Sequence, residues 1–345
     1  MITRQSKNTI PRIHKFITNE QGENYWFNGC GRYVMSALGE KDYDYEFFAG
    51  LTGDVFAQIY AYDHFRGNSV TDYMLSEGQS SFMEEIFAKC GYASKFVEEK
   101  ELKAHKEIYL QMILQYIDKG IPVICNLKIM GHTAWIVFVG YEEYGKTLLL
   151  MTDNMTEPER VSSEVVFCEN SEDEVGSCRG LVFIGEKKSQ KDLAQIYRDI
   201  IINLPQLLTT RTANYCFGAL AFRAWADEIE SGRYDHMTPG EFDSWPMYVN
   251  YVCVLATNAC CCHEFLNRAQ KLNPDFTFIG RLHQIYYQMQ QMWEKDPAGL
   301  EAIGGGFHIT LEVLQNRTQR ARIAAKIREF ADCADEVVRI LKEEL

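Results

Sequence analysis

Near residue 190 the spacing of the apolar residues changes, and that change limits the possible folds more than any single motif does. Before it, apolar residues come in short runs: PVICNL (122–127), TAWIVFVGY (133–141) and KTLLLMTD (146–153) read as three successive strands joined by short turns. VFCE (166–169) and GLVFIGE (180–186) read as two more, with the acidic ENSEDEVGSC (169–178) as an exposed loop and EKKSQKD (186–192) as a solvated junction. After the junction the period becomes helical. Leu193, Ile196, Tyr197, Ile200, Ile201 and Leu204 form one stripe, which Pro205 is expected to interrupt. Ile323, Ile327, Phe330, Ala334, Val337, Val338 and Leu341 form another in the last helix. The expectation is an α+β protein of two domains: residues 1–190 carry an antiparallel sheet with a few helices, and residues 191–345 form an all-helical bundle.

Composition narrows the function classes. Thirty-five basic against 48 acidic residues give a net charge of −13, which disfavours nucleic acid or an anionic membrane as the principal partner and suits a cationic one. The longest apolar stretch, Tyr248 to Cys262, is broken by Asn250, Thr257 and Asn258 and falls short of the ~20 residues a bilayer span requires. The first residues show no secretory signal. A cytoplasmic protein is expected, and the odd, scattered set of eleven cysteines fits reduced thiols better than a disulfide framework.

Three sites in the first domain could carry chemistry. In YWFNGCGRYVM (25–35), Cys30 heads a helix expected to begin at or just after it, with Tyr33, Val34, Ala37 and Leu38 facing inward. A thiol at a helix N-terminus meets free N–H groups and the positive end of the dipole, which favour thiolate; a small apolar residue filling a core fits the same position. His132 opens the most apolar strand after an Ile-Met-Gly turn, and Asp153-Asn154 follows LLLM one hairpin later. On an antiparallel hairpin the end of the second strand lies beside the start of the first, so Asp153 or Asn154 could reach His132. Nucleophile, base and orienter in that combination are the parts of covalent catalysis.

The runs GIPVICNL, GHTAWIVFVGYEE and LLLMTDN resemble the His and Asp region of papain-like cysteine peptidases of the bacteriocin-processing kind. The segment CGRYVMSALGEKDYDYEFFAGLTGDVFAQIY (30–60), with Glu46 and GLTGDVF after the cysteine, is similar to the N-terminal domain of the butirosin biosynthesis protein H family. YCFGALAFRAWADEIESG (215–232) resembles the helical C-terminal region that accompanies that domain. The resemblance implies a papain-like fold with Cys30 as nucleophile, His132 as base and Asp153 as orienter. It implies thiol-dependent acyl transfer from a small-molecule or carrier-protein-bound acyl substrate to an amine, in specialised biosynthesis and without metal or cofactor. A cysteine hydrolase of peptides or small amides, and a non-catalytic binding protein of the same fold, are the alternatives. Where papain-like peptidases carry an oxyanion glutamine six residues before the cysteine, this chain has Asn24; Asn24 or Asn28 could serve as a shorter amide donor, or the backbone N–H of Cys30 could act with another group.

Other conspicuous residues have plainer readings. Cys260-Cys261-Cys262-His263 would point in different directions on a helix and cannot converge on one tetrahedral zinc. Gly304-Gly305-Gly306 reads as a break between helices or a close backbone approach. Tyr60, Tyr62, His64 and Phe65 could line a channel or fill a core, and Trp225, Trp245 and Trp293 suit packing or a homodimer interface.

Overall fold

The computed structural model describes residues 5–17, 25–79, 81–129, 132–168, 177–243 and 247–345; the side chains of residues 129, 132 and 259–261 also lie outside the description. The first elements are β1 (Asn8–Thr9), α1 (Trp26–Ala37), α2 (Tyr45–Thr52), β2 (Ile59–Ala61), α3 (Val70–Ser76), α4 (Ser81–Lys89) and β3 (Tyr92–Glu98). Next come α5 (Glu99–Ala104), α6 (Lys106–Asp118), β4 (Val123–Ile129), β5 (His132–Glu142), β6 (Thr147–Met151), β7 (Glu159–Ser162), α7 (Ser163–Val166) and β8 (Cys178–Lys187). The rest is α8 (Leu193–Leu208), β9 (Tyr215–Phe217), α9 (Gly218–Glu230), α10 (Pro239–Asp243), α11 (Met247–Leu272), α12 (Ile279–Gln290), α13 (Leu311–Gln315) and α14 (Arg317–Glu344).

The chain is α+β and divides into two compact units, Met1–Ala49 with Met74–Lys191, and Gly50–Tyr73 with Asp192–Leu345. The first unit is built on an antiparallel sheet in the order β3-β8-β4-β5-β6-β7, with β1 also paired to β5. Its central strands read as continuous apolar runs because both faces are covered. On one face, Leu102 of α5 and Tyr109, Ile113, Leu114 and Ile117 of α6 pack with Val123, Cys125, Leu127, Ala134, Ile136 and Phe138. On the other, Phe27 of α1 meets Trp135 edge-on with centroids 5.1 Å apart. Gly140 lies where β1, β5 and β6 converge: a Cβ there would stand 2.8 Å from Leu149 and 2.9 Å from the Asn8 carbonyl oxygen.

Several local expectations change. The strand expected at 166–169 is not formed over its described residues: Val166 ends the short helix α7, where the Ser162 hydroxyl accepts the Glu164 N–H and caps a turn, Phe167 and Cys168 follow outside any strand, and Glu169 lies outside the described residues. Helix α8 runs through Pro205 to Leu208; the Pro205 carbonyl that the helix end leaves free accepts the Thr209 hydroxyl at 2.7 Å.

The second unit is mainly helical but not wholly so. Gly50–Tyr73 belongs to it, and β2 pairs antiparallel with β9 from Ile59↔Phe217 to Ala61↔Tyr215. Phe222 of α9 stacks on Phe330 of α14 at 5.7 Å, and the stripe of α14 is buried at Ile323, Ile327, Phe330, Val337 and Leu341. The triple glycine lies between helices, where Tyr248 donates a hydrogen bond to the Gly305 carbonyl at 2.7 Å and a Cβ at Gly305 would stand 2.6 Å from the Leu300 side chain.

Candidate active site

Cys30 lies inside its helix, not at its head. Helix α1 starts at Trp26, so Cys30 is its fifth residue and its N–H falls within the i→i−4 ladder. The free N–H groups of the first turn lie before the thiol, which removes both the dipole activation and the Cys30 N–H as an oxyanion donor. The shift follows from the residues around the cysteine. Phe27, Cys30, Val34 and Met35 are all fully buried, and extending the helix upstream buries Phe27 against Trp135 and Phe87. Burial pushes the Cys30 thiol well above its ordinary range, only partly opposed by its own backbone N–H.

The second cysteine near this region is Cys125 of β4, whose sulfur lies 3.3 Å from that of Cys178 at the start of β8. Burial raises its pKa first, followed by the hydrogen bond to Cys178, the Cys178 charge and the Cys30 charge. At neutral pH Cys30 and Cys125 are therefore neutral thiols.

His132 opens β5 opposite Ile129 of β4, and its imidazole lies outside the described residues. The other side of β5 pairs with β6 through Val137↔Met151. Just beyond that pair the Thr152 hydroxyl donates to the Trp135 carbonyl at 3.2 Å. Asp153 and Asn154 then turn with φ of 37° and 61°, left-handed values that Asp and Asn tolerate better than other side chains. Continuing the register sets this turn near Trp135, three residues from His132 and on the order of 10 Å along the strand. A contact therefore needs the imidazole and the 152–155 turn to lean toward each other.

The two candidates for the orienter differ in their surroundings. Asp153 is exposed, whereas Asn154 is half-buried, and its Oδ1 is shielded from water and accepts no hydrogen bond among the described residues. A buried amide oxygen without a donor is an unfavourable arrangement that a ligand or an imidazole N–H would relieve. Of the amide candidates before the thiol, Asn28 is fully buried in α1 and Asn24 lies outside the described residues.

A histidine that sequence reasoning passed over does pack on α1. His14 stacks on Tyr33 with centroids 4.0 Å apart and planes 9° from parallel, and its backbone N–H donates to the Tyr33 hydroxyl. Burial lowers its pKa, leaving a neutral imidazole one helical turn beyond Cys30. No periodic signal marks residues 10–17, so only the packing reveals it.

The motif GLTGDVF turns out to serve the fold of the second unit. Asp54 is buried, accepts the Thr52 hydroxyl at 2.7 Å and accepts the Val70 N–H at 2.6 Å, holding the start of α3. Tyr60 stacks on Tyr251 at 5.3 Å, which makes it core, and His64 is exposed beside the Asp63–Arg66 ion pair. Trp225 meets Tyr248 edge-on at 5.2 Å and Trp293 meets Phe307 at 5.5 Å, both as packing; Trp245 lies outside the described residues.

No protein-family model matches this chain, and no curated protein matches it.

Proposed function

We propose that this protein is a cysteine-dependent acyltransferase of papain-like fold, related to the butirosin biosynthesis protein H family. What carries the reading is the Oδ1 of Asn154, shielded from water and accepting no hydrogen bond among the described residues, in the turn after β6, the strand paired with the one that His132 opens. An imidazole N–H is the donor that this oxygen lacks. We take Asn154 rather than the exposed Asp153 as the orienting group.

The thiol starts protonated, so attack needs a base. The His132 imidazole removes the Cys30 proton as the sulfur bonds to the carbonyl carbon of an acyl thioester, and the carrier's thiol leaves with that proton. An amine then attacks the Cys30 thioester, the acyl group passes to nitrogen, and the Cys30 thiol is restored with a proton from the amine. The net charge of −13 favours a cationic amine as acceptor.

A second reading draws support from one observation, the complete burial of Cys30 with its raised pKa. On that reading the papain-like unit binds a small molecule and performs no chemistry. The deciding experiment is intact-protein mass spectrometry after incubation with an acyl-pantetheine thioester. One acyl increment that maps to Cys30, is absent from Cys30→Ala and forms more slowly in His132→Ala supports acyl transfer. No increment in the wild type, with the fold intact by circular dichroism, leaves the binding reading.

A further inference from the structure

His263 closes the run Cys260–His263, and the fold brings a second imidazole to it from outside that run. His263 on α11 and His283 on α12 face each other with ring centroids 4.6 Å apart and planes at 56°. The two helices pack side by side within the second unit, and both histidines are half-buried. Nε2 of His283 is shielded from water and makes no hydrogen bond among the described residues. The Tyr287 ring, one turn after His283, stands 6.3 Å from His263 and is exposed, so the pair opens toward solvent on that side.

We propose that His263 and His283 form a two-imidazole clip for a divalent transition metal ion of the zinc and copper class, fastening α11 to α12. Imidazole nitrogens ~2 Å from a single ion in cis positions put their ring centroids about 4.5–5 Å apart, the separation found here. Neutral imidazole suits Zn²⁺, Ni²⁺ and Cu²⁺ rather than Mg²⁺ or Ca²⁺, and an ion bound here would take up the lone pair that His283 Nε2 leaves unused. Among the described residues no cluster of three or more His, Cys, Asp or Glu side chains could hold a metal ion, so the two imidazoles are the ligands on which the proposal stands. Such a site binds reversibly and tightens the helix pair instead of creating the fold.

The test uses the full-length protein, stripped with a chelator and titrated with Zn²⁺ against a chromophoric competitor, and separately loaded with Cu²⁺ for electron paramagnetic resonance. Expected are one saturable Zn²⁺ per chain, a Tm that rises with Zn²⁺, and a Cu²⁺ spectrum with coupling to two nitrogens. His263→Asn and His283→Asn, which keep size and polarity, should each weaken Zn²⁺ about tenfold or more and remove one nitrogen coupling. Lack of saturable Zn²⁺ binding below about 1 mM overturns the proposal. So does binding that is unchanged in His283→Asn, or binding that survives both variants and disappears on thiol alkylation.

Discussion

At the scale of single residues, the state of Cys30 decides the chemistry. A thiol raised by burial is scarcely ionised at pH 7, so Cys30 should be alkylated by iodoacetamide more slowly than the half-buried Cys168, and its rate should climb later in a rising pH series than that of an ordinary thiol. Peptide mass spectrometry across pH 6–10 measures this, and a Cys30 that reacts first at pH 6 would contradict the burial found here. The orienter is separable in the same way. Asn154 and Asp153 both have positive φ, so the substitutions must tolerate that backbone: Asn154→Gly removes the amide without strain and Asp153→Asn removes only the charge. Acyl transfer to Cys30 should fall about tenfold or more in Asn154→Gly and stay within about twofold in Asp153→Asn. His132 and the 153–154 pair could be picked out in the sequence because each sits at the edge of a strand, and Cys30 because it follows Asn28-Gly29, a turn signal that the helix overrides by starting at Trp26. The preference for Asn154 could not, because it rests on which side chain loses contact with water.

At the scale of elements, α1 shows how packing overrides local signals. Gly31 reads as a helix weakness, and an alanine there would add about 1 kcal/mol of helix propensity. In the folded unit, though, a Cβ at Gly31 would stand 2.9 Å from the ring of Phe48 in α2, a ring with no exposed surface. Gly31→Ala is therefore expected to destabilise the protein by about 1–3 kcal/mol, read as a lower urea midpoint with unchanged slope. The same principle explains the start of α1 at Trp26: Tyr25 offers no side-chain cap, and the helix begins there because Phe27 gains burial against Trp135 and Phe87. The strands β4, β5 and β6 follow the apolar runs closely, since runs covered on both faces carry a strong local signal. Helix α7 escaped that signal because a single hydroxyl, that of Ser162, meets a backbone N–H left over at its start, and the hydroxyl of Thr209 meets the Pro205 carbonyl in the last turn of α8.

At the scale of the whole molecule, the chain leaves its first unit at Gly50 and returns at Met74. The intervening segment is completed by residues far along the sequence: β2 pairs with β9, Gly50 lies close to Phe265, and Phe56 meets Phe265 edge-on at 5.5 Å. Truncation after Lys191 should therefore leave Gly50–Tyr73 without its strand partner or its apolar cover, giving a fragment that binds a hydrophobic dye and self-associates on size exclusion. A monomeric fragment that binds no dye and unfolds cooperatively would count against this division. No helix among the described residues is long and apolar enough to cross a membrane.

The sequence by itself determined the strand-rich character of the first part and the helical character of the second, the strand runs of the central sheet, and the choice of Cys30, His132 and the Asp153-Asn154 turn as candidates. These depend on periods of two and 3.6 residues, which are set by backbone geometry over a few neighbours. Only the tertiary structure decided that Cys30 is buried one turn inside its helix, that Gly50–Tyr73 folds with the helices, and that His263 faces His283 across two of them. Each of those outcomes is fixed by which distant side chains exclude water from one another, and no local spacing encodes that choice.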